Sequence, residues 1–225
     1  MRRTVVGDIG RRRSEIVVTA LAIWTPLLVV LGAALLVTST TEVTVRQLTQ
    51  DPTTVLDGPF YVGALSNLGN VLWAAAATVC LLTALALRSL IDAGWRRFMF
   101  VSGLFTAVLL LDDLFLVHDE ILPRYAGISG ELYGIAYVVG MLAYLGGFRH
   151  RIAQTNWPIL LAALVCFGIS TVVDLGSSRL SEMAAPSIVI LVEDGTKLLG
   201  IGTWLAYFVS VSRQAIVSGP LFQTA

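Results

Sequence analysis

Long apolar runs, broken by short polar stretches, dominate the chain. Reading hydropathy along it gives runs near 16–38, 61–87, 98–120, 131–148, 158–176 and 187–211. Each is about the 20 residues an α-helix needs to cross the hydrocarbon core of a bilayer. The pattern therefore predicts an all-α, polytopic transmembrane helix bundle of six spans, with the 225 residues forming a single integral membrane domain. Composition agrees. Hydrophobic residues make up 56% of the chain and charged ones 13%, and mean hydropathy is +0.80, far from an ordinary soluble domain. The first run follows "MRRTVVGDIGRRR" and is longer than a secretory signal core, so it is expected to stay as an anchor.

The arginines fix the expected orientation. Eleven of them, Arg2, Arg3, Arg11, Arg12, Arg13, Arg88, Arg96, Arg97, Arg149, Arg151 and Arg213, fall at the N-terminus, in the second and fourth loops, or after the last run. Three, Arg46, Arg124 and Arg179, fall in the alternate loops. The positive-inside rule then places both termini in the cytoplasm and the protein in the cell's inner membrane. The first outer loop, "TSTTEVTVRQLTQDPTTVLDGP", is rich in Thr and Val and is expected to be extended or irregular.

Formal net charge is zero, and outside the N-terminal tail there is no basic patch of the kind nucleic acids require; membrane lipids are the expected partners. Cys80 and Cys166 both sit inside apolar runs, away from any Cys/His pattern, which argues against a disulfide framework or a thiolate zinc site.

Against this background the segment "LLLDDLFLVHDEILP" is conspicuous, for it places Asp112, Asp113, His118, Asp119 and Glu120 within nine residues. Charge is costly in lipid unless paired, hydrated or used. If the third span ends near Glu120, Asp113 lies about 10 Å below the outer boundary, and Glu193 of the sixth lies about 9 Å below it. Ser66, Asn67 and Asn70 open the second span from the same side, Glu131, Tyr133 and Tyr137 the fourth, and Asp174 closes the fifth. The inner half shows almost no polar groups. Polar residues from several helices at one depth are most cheaply satisfied together, which predicts an acidic, water-accessible cavity facing outward.

Helical phase refines this expectation. On a regular helix Asp112, Asp113, Asp119 and Glu120 share an arc of about 120°, while His118 points about 140° from Asp113 and joins only if the helix unwinds or bulges. Glu193, Asp194 and Lys197 share an arc of about 100°. Lys197 can pair with Glu193 along the helix or with an acid of the third span.

Three functions use these residues. The first is a metal-dependent enzyme acting on lipid or another membrane-soluble substrate. There Asp113, Glu120, Glu193 and Asp194 are candidate ligands for a divalent ion, Asp112 or His118 the acid/base, and Lys197 the group that holds developing negative charge. Carboxylates outnumber histidines, so a hard cation, iron or manganese fits better than zinc. The second is a proton- or cation-coupled carrier or accessory transport subunit using the same carboxylates. The third is a structural subunit whose charges lock helices together, with Ser66, Asn67 and Asn70 as interhelical glue.

The segments "LSNLGNVLW", "LLLDDLFLVHDEILP" and "VEDGTKLLGIGTWLAYF" resemble a family of uncharacterised prokaryotic multi-pass membrane proteins, over roughly Tyr61 to Phe208. That resemblance implies a fold of about six helices and no particular activity. Ser66, Asn67 and the "LDD" ending at Asp113 also resemble, more distantly, two elements of the alkaline ceramidase-like membrane hydrolases, which implies an intramembrane zinc. The paired histidines of that group have no counterpart, since the corresponding run offers Glu193, Asp194 and Lys197.

Overall fold

The computed structural model describes residues 2–87, 91–127, 130–183 and 185–217, which are helical almost throughout and contain no strand among the described residues. The chain divides into two compact units, Met1–Val62 and Gly63–Ala225. The first holds α1 (Arg2–Thr40) and two short helices, α2 (Val45–Thr49) and α3 (Pro52–Val55). The second holds α4 (Ala64–Ala86), α5 (Ala93–Phe115), a π-helical segment (Val117–Ala126), α6 (Gly130–Ala153), α7 (Trp157–Met183) and α8 (Pro186–Val217).

Among the described residues five segments are long and apolar enough to cross a membrane: Ile23–Thr40 within α1, α4, α5, Leu132–Ala153 and Trp157–Ser177. The protein is thus an all-α, multi-pass membrane protein. α8, the sixth run in the sequence, is longer still at 32 residues, but Glu193, Asp194 and Lys197 interrupt its apolar character and keep it outside that set.

The first loop is not extended. Thr44 caps α2 by accepting from the backbone N–H of Gln47 at 3.3 Å, while the Gln47 side chain accepts from the Thr44 N–H at 2.8 Å. Asp51 caps α3 at the Thr53 N–H, 2.8 Å away, with Pro52 at the first helical position. These caps, reciprocal in α2 and one-way in α3, satisfy N–H groups in the first turn of each short helix and outweigh the β preference of Thr and Val.

In the second unit α4 packs between α5 and α8, and α7 lies along α8. The seam follows helical spacing: Trp73, Ala76, Cys80 and Ala84 of α4 meet Phe98 and Met99 of α5 and Trp204, Tyr207, Phe208 and Val211 of α8. Small residues let the backbones approach. A side chain at Gly103 would stand 2.7 Å from Leu81, and one at Gly200 2.7 Å from Phe167, so both contacts require glycine. Of the four span-length segments in this unit, α6 is buried less than α4, α5 and α7, and Leu132, Ile135, Val138, Val139 and Leu142 are all exposed.

The seam also carries neutral polar pairs that apolar run lengths conceal. Thr83 donates to Ser212 at 2.8 Å, the Trp204 indole to Thr106 at 3.0 Å, and the hydroxyls of Ser102 and Tyr144 meet at 2.7 Å, as do those of Thr155 and Tyr207 at 2.9 Å. The half of the bundle expected to lack polar groups is therefore laced with paired hydroxyls. At the arginine-bearing end, Asp92 caps α5 through the N–H groups of Gly94 and Trp95 and receives both terminal nitrogens of Arg151 at 3.2 Å. Arg151 also lies 5.3 Å over the Trp95 ring, tying α6 to the start of α5.

Candidate functional site

The acidic segment does not continue α5 as one helix. α5 ends at Phe115, Leu116 takes a left-handed conformation (φ 51°), and a π-helical segment containing Pro123 follows. The Leu116 carbonyl accepts from the N–H groups of both Glu120 (2.8 Å) and Ile121 (3.2 Å), which marks the change of helical pitch. Asp112 and Asp113 therefore occupy the last turn of α5, rather than a position seven residues below its end. The common acidic face expected of a regular helix is broken up, because everything after Leu116 is rotated.

The break turns His118 back over the end of α5. Its backbone N–H donates to Asp112 Oδ1 at 3.0 Å, and its Nδ1 meets Asp112 Oδ2 at 2.6 Å. Asp112 is 5% exposed, and the Tyr137 hydroxyl of α6 approaches the same carboxylate. Tyr137 and Tyr133 hydroxyls are 3.1 Å apart, and the Tyr133 ring lies parallel to the His118 imidazole at 5.8 Å. On its far side His118 Nε2 faces Asp119 Oδ1 at 3.2 Å. The hydrogen bond to Asp112 raises the His118 pKa above its ordinary value, against the opposing effect of partial burial. With Nδ1 taken by Asp112, the other ring nitrogen is the one turned to the more exposed Asp119.

Asp113 has a different set of partners. The Trp73 indole N–H of α4 donates to Oδ2 at 2.9 Å, and Lys197 Nζ of α8 donates to Oδ1 at 2.8 Å. Of the two partners open to Lys197 in the sequence, it takes the acid across the bundle. One carboxylate thus joins three helices, with both oxygens engaged. Asn70, one helical turn before Trp73, keeps a buried amide oxygen that meets no hydrogen-bond donor among the described residues.

The other sequence candidates stand around these two groups. Glu193 has Asp174, Asp194, Lys197 and Asp119 as electrostatic neighbours, and Lys197 feels Asp119 and Asp194 as well as Asp113. Asp174 and Asp194 are exposed, and Glu193 is partly so. Glu120 is turned away to Arg124, 3.7 Å distant and one turn on, at an exposed position. Ser66 and Asn67 are exposed in the first turn of α4. The side chain of Glu131 lies outside the described residues. Among the described residues no group of three or more His, Cys, Asp or Glu side chains comes together in a way that could hold a metal ion.

In the sequence Trp73 carries no sign of a part in the site, and Tyr133 and Tyr137 stand only among the polar groups that open the fourth span. Their aromatic character hid the single polar atom each contributes. A cavity of about 180 Å³ lies beside the site, lined by Phe105, Tyr133, Ala136, Tyr137 and Gly140 between α5 and α6. Tyr137 brings its hydroxyl to Asp112 and Tyr133 its ring to His118, and both residues line this cavity.

A bundle of apolar helices with a polar cluster held where α5 breaks defines a multi-pass helical membrane protein with one concentrated acid–base region. No curated protein and no solved structure matches the chain. A family model does match, over residues 19–211, and the chain belongs to that family, described as Domain of unknown function (DUF8692).

Proposed function

We propose that the protein is a membrane enzyme that transfers protons on lipid or another membrane-soluble substrate, with His118 as the acid/base. The observation that carries this reading is the 2.6 Å contact between His118 Nδ1 and Asp112 Oδ2. A buried carboxylate that holds one imidazole nitrogen fixes the ring's tautomer and orientation and supports positive charge on it during proton transfer. The α5/α6 cavity supplies an apolar approach to the same pair, suited to a substrate arriving from the bilayer. Lys197, held beside the cluster by Asp113, is the cation available to developing negative charge.

Of the metal donors considered from the sequence, Asp113 is engaged by Trp73 and Lys197 and Glu120 by Arg124. That pattern favours acid–base chemistry by the chain's own side chains. For the topology we take α8, which packs along α4 and α7, as a sixth crossing in an inner membrane with both termini cytoplasmic; the arginine bias supports this.

The test compares lipid extracts of membranes carrying the wild-type chain, H118Q or D112N, by untargeted mass spectrometry, with purified protein added to the same extracts. The reading expects one membrane-soluble species to be consumed or formed only by the wild type. Identical extracts from all three, with each variant folded, would overturn it.

A second reading, proton transfer across the bundle, is favoured by one observation. Thr106 and Ser102 lie one turn apart on α5 and bond Trp204 and Tyr144, carrying hydroxyls from below Asp112 towards the arginine-bearing end. Dye-monitored proton flux in proteoliposomes, lost in T106V, would support it; flux equal to protein-free vesicles would end it.

A further inference from the structure

A second cavity lies away from the acid–base cluster, at the arginine-bearing end. It measures about 280 Å³ and is bounded by Leu145, Arg149, Ile152 and Ala153 of α6 and Trp157, the first residue of α7. Four of the five walls are apolar and one is a guanidinium. The two neighbouring arginines differ in their engagements. Arg151 is committed to Asp92 through two hydrogen bonds and to the Trp95 ring. Arg149 is exposed, donates only its Nε, to His150 at 3.3 Å, and has no carboxylate partner among the described residues.

We propose that this groove is a binding site for an anionic phospholipid, with the phosphate on Arg149 and the upper part of an acyl chain against Leu145, Ile152, Ala153 and Trp157. Charge complementarity selects the occupant. An unpaired guanidinium offers parallel N–H donors that match phosphate oxygens, and its charge attracts anionic headgroups. The apolar walls that border it, with Leu145 one turn deeper along α6, fit a hydrocarbon chain, which a free phosphate lacks. Trp157, half-exposed at the mouth, is the amphipathic residue type that settles at headgroup level. None of these residues belongs to the proposed acid–base site, so the two proposals stand or fall separately.

The experiment uses the full chain purified in mild detergent and stripped of lipid by extended washing. Thermal unfolding is followed with added phosphatidylglycerol, phosphatidylcholine or inorganic phosphate, beside R149Q and A153F, which remove the charge and fill the groove. R96Q serves as a control for general basicity. The wild type is expected to bind phosphatidylglycerol and to be stabilised by it more than by phosphatidylcholine. R149Q should weaken that binding by about fivefold, the effect of one basic residue at an anionic surface. A153F should reduce it while R96Q leaves it within about twofold. Equal stabilisation by both lipids, stabilisation by inorganic phosphate alone, or an R149Q response equal to that of R96Q would each overturn the assignment.

Discussion

Asp112 and Asp113 are neighbours in sequence with separate tasks, because successive helix positions point about 100° apart. Asp113 faces inward to Trp73 and Lys197 and joins α4, α5 and α8. Breaking this pair leaves a lysine beside a neutral amide, or a carboxylate without its cation. D113N or K197M alone should therefore destabilise by about 1–3 kcal/mol, below the full cost of a buried pair because Lys197 is 43% exposed. The double variant should recover part of that loss, which thermal unfolding of all four proteins measures as a coupling energy. Additive losses would remove Asp113 and Lys197 as a pair.

Asp112 acts on His118, and the sign of the resulting pH effect follows from the direction of the shift. The folded protein holds His118 above its ordinary 6.5, chiefly through the Asp112 hydrogen bond, with Asp119 adding and Lys197 opposing. A raised pKa contributes stability that is full below 6.5 and lost as pH rises through the folded value. The stability gap between wild type and D112N should therefore narrow as pH is raised above 6.5. A residue of the gap should persist, since the His118 backbone N–H also bonds Asp112 whatever the charge on the ring. A gap that widens over this range would contradict the His118 assignment.

At the scale of elements, the site depends on one backbone torsion. Leu116 is a non-glycine residue at φ 51°, a region that costs L residues roughly 1 kcal/mol and costs β-branched ones more. Leu116→Gly should thus hold or raise the stability measured by thermal unfolding, and Leu116→Val should lower it by about 1–2 kcal/mol. The same two variants should differ in whether the near-parallel His118–Tyr133 stack survives, which NMR of ring-labelled histidine can follow. Nothing in "LFLVHD" announces this break, since Gly and Asn are the residues that ordinarily mark a left-handed position. For that reason the helices were legible from apolar run length, while the orientations of His118, Asp119 and Glu120 were not. The caps of α2 and α3 were present as "TVRQ" and "QDPT", yet β propensity concealed them. The paired hydroxyls of Thr83, Ser102 and Thr106 were invisible for a different reason: a threonine or serine in an apolar helix can bond its own turn or a neighbour, and only packing decides which.

For the whole molecule, the two ends of the second unit differ in kind, and that difference sets how the chain should lie in a membrane. One end gathers Asp112, Asp113, Asp119, Asp174, Glu193 and Asp194 around a single lysine and a single histidine. The other carries the Asp92–Arg151 pair, Arg149, which has no carboxylate partner among the described residues, and the arginines of the α5 start. Basic residues flanking apolar helices are retained on the cytoplasmic face, so the acidic end should face outward. This arrangement also tests α8, whose charges remove it from the helices that qualify as spans by composition. If α8 crosses, cysteines placed at Gln214 and at Arg149 should both be shielded from a membrane-impermeant maleimide in intact cells, and one placed at exposed Asp119 should react. The host variant should first have Cys80 and Cys166 changed to Ala, conservatively, since Cys80 is buried and Cys166 partly so. Labelling at Gln214 but not at Arg149 would put the end of α8 on the opposite side from the arginines and reduce the crossings by one. In that case Lys197 would reach Asp113 from a helix lying in the interface rather than from one passing through the bilayer.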